Sequence, residues 1–431
     1  MKTMSNEIKK ILVVGGGGRE HAIVKCLKRD NPDLNIYCAP GNGGIGQLAT
    51  LVPIKATEIE KLVAYAKEEA FDMVMVAPDD PLVLGVVDEL EAAGIRAFGP
   101  RKNAAIVEGS KAFSKELMKK YNIPTAKYET FTDADAAISY LKAENTYPAV
   151  IKADGLALGK GVIIAQNEEE AVAAVNEMMV DKVFGASGST VVIEEFLTGP
   201  EISVLAFTDG KTVVPMVSAQ DHKRAYDNDE GLNTGGMGTF SPSRVYNKDL
   251  EEECMKNIFL PTINGLRAEG RPFKGVIYFG LMATKNGVKV IEYNARFGDP
   301  ETQVVLPRLK TNLLTIFDAI IDERLDEINI EWEENACVCV IMASGGYPKA
   351  YKTGYEIIGM DQAEEKGNIF VYHAGTKAED GKFLTAGGRV IGVTATGSNL
   401  DDAIREAYDA VAKISFTDAH YRKDIGIKKY N

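Results

Sequence analysis

The chain is poor in the residues from which metal centres and disulfide frameworks are built. Its five cysteines, Cys26, Cys38, Cys254, Cys337 and Cys339, and its four histidines are scattered over 431 residues, and no two cysteines form a CxxC pair. An odd set of dispersed thiols makes no disulfide framework, and a His/Cys zinc site needs closely spaced ligands. Reduced, structural thiols are expected. Cys337 and Cys339 alternate within an apolar run, as on one face of a buried strand. Long apolar runs are also missing. A membrane helix takes about 20 apolar residues, and no uninterrupted run approaches that. The opening residues MKTMSNEIKK carry no apolar signal core, so a cytoplasmic location without a membrane partner is expected. Positive charge is short as well. The net charge is −13, and no Lys/Arg cluster forms the basic face of a nucleic-acid binder. A phosphate substrate would have to be met by a few well-placed cations.

What is present is the mixture of a soluble globular protein, 45% hydrophobic and 26% charged, in a chain too long for one ordinary domain. The first hundred residues alternate strand and helix signals. ILVVG (11–15) reads as a strand, REHAIVKCLKR (19–29) as a helix, and NIYCAP (35–40) and MVMVAP (73–78) as further strands. This is the pattern of βαβ units and a parallel sheet, whose ligands bind beyond the carboxyl ends of the strands. GGGGREH (15–21), PGNGG (40–44) and APDDP (77–81) occupy those positions. Gly17, Gly18, Arg19, Glu20, Asn42, Gly43, Pro78 and Asp79 are therefore candidate ligands for a phosphate or phosphosugar; three ordinary turns are the plain alternative. A dinucleotide fingerprint is disfavoured, because Glu20 stands where the third glycine of GxGxxG belongs and the second strand ends without an acid.

GSKAFSKELMKKYNIP (109–124) reads as a helix closed by Asn122 and Pro124. ADGLALGKG (153–161) resembles a Walker A loop but spaces Gly155 and Gly159 one residue too closely and puts Gly161 where a magnesium-binding hydroxyl belongs. Strand-like runs flank it, so it reads as a glycine-rich hairpin loop able to fold over ATP phosphates, with Lys160 in the loop and Lys152 on the strand before it. VIEEFL (192–197) sets two acids among apolar residues at a strand end. EISVLAFTDGKTVVPMVS (201–218) and GVIYFGLMATKNGVKVIEYN (275–294) read as hairpins turning at Asp209-Gly210 and Asn286-Gly287. In VIEYNARFGDPE (290–301), Glu292 and Asn294 lie two apart and share a strand face. Both offer oxygen ligands, which suits Mg²⁺ bridging phosphates. Arg296 beyond them is able to hold a carboxylate or phosphate through two parallel hydrogen bonds, and Asp299 and Glu301 add carboxylates. QDHKR (220–224) and NTGGMG (233–238) read as a long polar loop around a small substrate.

Taken together, GGGGREH, EGSKAF (108–113), VIKADGLALGKGV, VVIEEFLTGPE, AQDHKR, NTGGMG and NARFGDPETQ (294–303) resemble the glycinamide ribonucleotide synthetase family of the ATP-grasp superfamily over nearly the whole chain. The resemblance implies an α/β ATP-grasp fold with an N-terminal Rossmann-like (pre-ATP-grasp) domain at 1–107. The main ATP-grasp domain would occupy 108–125 and 193–330, with a small mobile lid at 126–192 and a C-terminal mixed α/β domain at 331–431. It implies ATP as co-substrate with Mg²⁺ or Mn²⁺, held by Glu292 and Asn294. Lys111, Lys152, Asp154, Gly155, Gly159, Lys160 and Gly161 would meet its phosphates, Glu194, Glu195, Phe196 and Leu197 the adenine, and Glu201 the ribose. Glycine and 5-phosphoribosylamine would be the partners, bound by the N-terminal loops and by Asp221, Gly236, Met237 and Arg296. Arg296, Lys160 and Asp221 would act on the reacting groups, in a monomer or at most a weak dimer. The arm GVIYFGLMAT lacks the carboxylate that many other ATP-grasp enzymes carry there, which weakens the case for a second metal.

Overall fold

The computed structural model describes residues 8–156 and 161–427. The N-terminal part is a five-stranded sheet in the order Thr50–Leu51, Asn35–Pro40, Lys10–Gly15, Met73–Val76, Ala97–Phe98, with every neighbouring pair parallel. Its inner strands are almost continuously apolar because helices cover both faces, and Ile11 to Val14 and Met73 to Met75 are buried. The strands flanking Lys10–Gly15 follow it in opposite directions across the sheet. Its carboxyl end is therefore a topological switch point, where a crevice opens. The loops after Gly15, Pro40 and Val76 meet there, as their positions in the sequence require.

Two antiparallel sheets follow. One has the order Tyr128–Phe131, Val191–Glu195, Ala149–Ala153, Val162–Ala165. The helices Ala134–Glu144 and Glu168–Val175 back it, and Leu141, Ile151, Val175 and Met178 form a separate small core. The other has the order Val213–Pro215, Glu201–Asp209, Lys274–Thr284, Gly287–Asn294. Both expected hairpins are present. The second turns at Lys285-Asn286, one residue earlier than expected, because Gly287 (φ +101°) already pairs with Thr284. The helix Lys111–Lys120 is capped by Ser110, whose hydroxyl accepts from Phe113 N at 3.1 Å. Asn122 at φ +53° ends the turn beyond it.

The C-terminal sheet has the order Gln220–Asp221, Gly238–Ser241, Ala336–Ser344, Arg389–Gly397, Ile369–His373, covered by the helix Leu400–Val411. Cys337 and Cys339 are buried in its central strand as free thiols. Its first two strands come from the segment expected to be a long polar loop, and between them Arg224–Tyr226 pairs with Glu230–Asn233. The loop reading fails because polar residues here satisfy a non-local sheet. Thr239 Oγ1 donates to Gln220 O at 3.0 Å, Ser241 Oγ donates to Ser218 O at 2.6 Å, and the strand partners lie about a hundred residues on. No helix among the described residues is long and apolar enough to cross a membrane.

Candidate active site

The two antiparallel sheets, the N-terminal crevice and the C-terminal sheet enclose one cavity of about 930 Å³. The second hairpin supplies its chemistry through a backbone irregularity. Val288 and Val290 point into the core, and strict alternation would bury residue 292 with them. The register shifts instead: Gly280 faces Glu292 while Leu281 faces Val290, so Ile291 is bulged out. Beyond the bulge Tyr293 takes the core side, and Glu292 and Asn294 turn into the cavity. The bulge's carbonyl is not left unpaired, since Lys152 Nζ donates to Ile291 O at 3.1 Å. Glu292 and Asn294 do share a face; which face they share is decided by the bulge.

A second group is fully buried. Glu194 lies between two lysines, Lys115 Nζ at 2.9 Å and Lys152 Nζ at 2.8 Å, with all three side chains at most 5% exposed. Burial pushes the Lys115 ammonium down to about 8 despite the neighbouring Glu194. The Glu194 carboxylate is thus spent on the lysines. Glu195 bridges Lys127 N and Lys289 at the rim, and Phe196, 40% exposed, and Leu197 line the cavity. Glu201 lines it as well. Lys111 donates to Gly155 O at 2.7 Å, and Gly155 and Gly161 line the cavity too. Asp154 does not. Its carboxylate accepts from Ser110 Oγ at 3.1 Å and Ala112 N at 3.0 Å, fixing the loop to the start of the Lys111–Lys120 helix. Gly159 and Lys160 lie outside the described residues.

At the other end of the cavity the charges alternate. Arg296 pairs with Glu108 at 3.0 Å and Arg389 with Asp299 at 3.3 Å. Burial raises the Glu108 carboxyl to about 7 against the pull of Arg296. Burial would also raise Asp79, but Arg296 and Arg19 hold it below the usual carboxylate value. Asp221 is pushed well up by burial and by the nearby Glu301. Lys223 Nζ stands 3.4 Å from both Glu201 and Glu292, and this ammonium, followed by Lys152 and Lys111, brings Glu292 down to about 2 against its burial.

The N-terminal candidates divide. Arg19 and Asp79 line the cavity. Glu20 is buried as a strut, accepting from Gly17 N at 2.6 Å and Arg19 Nε at 2.8 Å. Gly18 packs beside Gln303, and Pro78 precedes the short helix Asp79–Leu84. Asn42 joins the N-terminal crevice to the C-terminal sheet: its Nδ2 donates to Gly16 O and His373 O, and its Oδ1 accepts from Gly44 N and Ile45 N. Gly43 N donates to Thr376 O at 3.2 Å. The PGNGG loop is thereby joined to the C-terminal sheet. Gly236 (φ +114°) brings its backbone against Asp221, where a Cβ would come within 2.8 Å of Oδ1. Met237 is fully buried, donating its N–H to His222 O at 2.8 Å.

Lys115, Lys223, Glu108 and Arg389 are among the cavity residues to which the sequence assigns no role. Lys115 was the most accessible of them, one helical turn after Lys111 on the same face. Lys223 stood inside the quoted QDHKR. Glu108 stood inside the quoted EGSKAF, and Arg389 has no local signature, because its role arises only when distant segments meet.

The residues fit a divalent ion delivered with a nucleotide. Glu292 is held ionised by its lysines. Asn294 donates its Nδ2 to Tyr293 O at 2.8 Å and, among the described residues, its amide oxygen makes no hydrogen bond. No group of three His, Cys, Asp or Glu side chains among the described residues makes a free-standing metal site. One carboxylate and one amide oxygen leave the remaining positions to phosphates and water, as Mg²⁺ prefers.

Comparison with known proteins agrees with this geometry. Profiles for phosphoribosylglycinamide synthetase match along the chain: the N domain at residues 9–108, the ATP-grasp (A) domain at 109–302 and the C domain at 337–428. The phosphoribosylamine–glycine ligase of Caldanaerobacter subterraneus subsp. tengcongensis is 50% identical over 416 residues, 96% of this chain and 99% of that protein. The crystal structure of phosphoribosylamine–glycine ligase from Thermotoga maritima superposes with a TM-score of 0.83 at 32% identity, covering 97% of this chain and all of that one. The biotin carboxylase domain of 2-oxoglutarate carboxylase from Hydrogenobacter thermophilus, in complex with MgADP, ADP and bicarbonate, shares the fold at a TM-score of 0.72 and 16% identity, over 97% of this chain and 92% of that one. The chain belongs to the phosphoribosylglycinamide synthetase family of ATP-grasp ligases.

Proposed function

We propose that this cavity joins glycine to 5-phospho-D-ribosylamine at the expense of ATP, giving glycinamide ribonucleotide, ADP and phosphate in de novo purine biosynthesis. The observation that carries the reading is the meeting of Lys111, Lys152 and Arg296 with Glu292 and Asn294 in one cavity, beside the strap Glu194–Leu197. The strap and Glu201 receive the nucleoside, and the lysines receive its phosphates. A glycine carboxylate oxygen attacks the γ-phosphorus as the bond to ADP breaks, forming glycyl phosphate. Arg296 and the lysines offset the charge on the transferring group. Mg²⁺ or Mn²⁺ held by Glu292 and Asn294 would supply further charge neutralisation at the phosphates. The ribosylamine nitrogen then attacks the acyl carbon and expels phosphate. Asp221, raised by burial beside Glu301, takes the proton lost as amine becomes amide. Arg19 and Asp79 face the ribosylamine from the crevice. A residual role for Gly17, Gly18 and Pro78 is to shape that crevice.

The reading includes a cytoplasmic protein, a monomer or at most a weak dimer, divided at 107, 125, 192 and 330, with strands Gln220–Asp221 and Gly238–Ser241 reaching across into the C-terminal sheet. Its test is the release of ADP with each substrate added or withheld. ADP and phosphate should appear stoichiometrically only when glycine and phosphoribosylamine are both present. Equal turnover with bicarbonate in place of glycine would instead assign a carboxylase.

A further inference from the structure

Lys223 joins two carboxylates that the proposed function assigns to different parts of one ligand. Its ammonium lies 3.4 Å from Glu201, assigned to the ribose, and 3.4 Å from Glu292, assigned to the metal. All three line the cavity. The nucleotide and its metal would have to take both partners away from the lysine. We propose that Lys223 is a resident counter-ion that holds the nucleotide-free site closed to divalent metal, and that it is exchanged for the metal–nucleotide and released toward the phosphates when they bind.

Three features make the exchange a movement of the side chain alone. First, the backbone of Lys223 is pinned: its carbonyl accepts from Thr234 N at 2.7 Å and from Thr234 Oγ1 at 2.9 Å. The neighbouring His222 N donates to Gly238 O at 2.9 Å, and Met237 N donates to His222 O at 2.8 Å. The segment is thus held as a ladder against residues 234–238. Second, both contacts are long for charge-assisted hydrogen bonds, which run at about 2.7–2.9 Å. The ammonium is shared between the carboxylates and seated firmly on neither. Third, the flexible four-carbon stem gives the ammonium reach while the main chain stays still.

The charges also favour exchange. Glu201, Glu292 and Lys223 leave one net negative charge, so a bare divalent cation entering this site must compete with a fixed ammonium. A cation that arrives with a nucleotide has its own phosphates to receive the displaced lysine. The site therefore admits metal and nucleotide together and resists metal alone. This inference rests on the assignment of Glu292 as a metal ligand in the proposed function.

Mn²⁺ binding to the nucleotide-free protein, read as loss of the free-ion electron paramagnetic resonance signal, tests it apart from turnover. Lys223→Met should bind Mn²⁺ at least about tenfold more tightly than the unaltered protein, the size of effect typical of groups that adjoin metal ligands. Lys223→Gln should do the same, and Lys223→Arg, which keeps the charge, should not. Unfolding midpoints establish that each variant is folded. The double variant Lys223→Met with Glu292→Gln should lose the gain. No gain in either neutral variant overturns the counter-ion role. A gain that survives the loss of Glu292 overturns it as well, by placing the ion elsewhere. Neither result depends on which substrates are joined, because the ADP-release assay decides that separately.

Discussion

Glu292→Gln should lower turnover by at least about 100-fold and leave the protein folded. The substitution keeps the size and one carbonyl oxygen but removes the charge that a hard cation prefers. Changes at groups that merely support metal ligands cost about 10–100-fold, so loss of a ligand's charge should meet or exceed the top of that range. The fold should survive, because the bulge at Ile291 turns Glu292 out of the core and its side chain is 31% exposed. If Glu292 were only a solvated strand residue, its replacement would shift stability by about 0.5 kcal/mol and spare activity. The measurement is kcat across a Mg²⁺ titration, with circular dichroism as the folding control. Near-normal activity of the folded variant at low Mg²⁺ would reject the assignment.

Glu194→Gln should instead act on stability. Glu194 is the counter-charge for both Lys115 and Lys152, and its side chain is 4% exposed. Removing one partner from a buried ion pair costs about 3–5 kcal/mol, because the remaining charge stays buried without compensation. Lys115 has an escape: it loses its proton. Lys115 is already pushed to about 8 by burial and would fall further without Glu194. The sign follows from the proton count. A lysine whose pKa is lower folded than unfolded binds more protons when unfolded, so stability rises with pH. The variant's deficit should therefore be larger at and below neutral pH than above about pH 8, where Lys115 of the unaltered protein gives up its proton as well. Amide hydrogen exchange along Val191–Glu195 and Ala149–Ala153, at neutral pH and at higher pH, reads this locally. A loss below about 1 kcal/mol, or one unchanged with pH, would mean that the triad contributes little to the fold.

The fold was largely written in local signals. The parallel N-terminal sheet announced itself through apolar strands ending in glycine, and both hairpins through their turn residues. Two features were hidden for one physical reason, that they exist only across long chain separations. The strands Gln220–Asp221 and Gly238–Ser241 look like polar loop until the sheet of residues 336–397 pairs with them. The bulge at Ile291 has no residue signature, because what it breaks is register with Gly280 and Leu281. In the site, the sequence found the residue types better than their tasks. Lys152, Arg296, Glu292 and Asn294 face the cavity. Glu20, Asn42, Asp154 and Glu194 carry the same functional chemistry in the sequence, yet each spends it on struts, caps and ion pairs. A carboxylate or amide beside a glycine looks the same in sequence whether it faces a ligand or a backbone N–H.

The proposed reaction is tested most directly by following one oxygen atom. Glycine labelled with ¹⁸O in both carboxylate positions is turned over with ATP and phosphoribosylamine, and the inorganic phosphate is examined by mass spectrometry. If the glycine carboxylate attacks the γ-phosphorus and phosphate later leaves the acyl carbon, each phosphate carries one ¹⁸O atom from glycine and the amide keeps the other. Phosphate free of ¹⁸O, formed together with glycinamide ribonucleotide, would contradict a glycyl phosphate and the roles assigned here to Arg296 and the lysines.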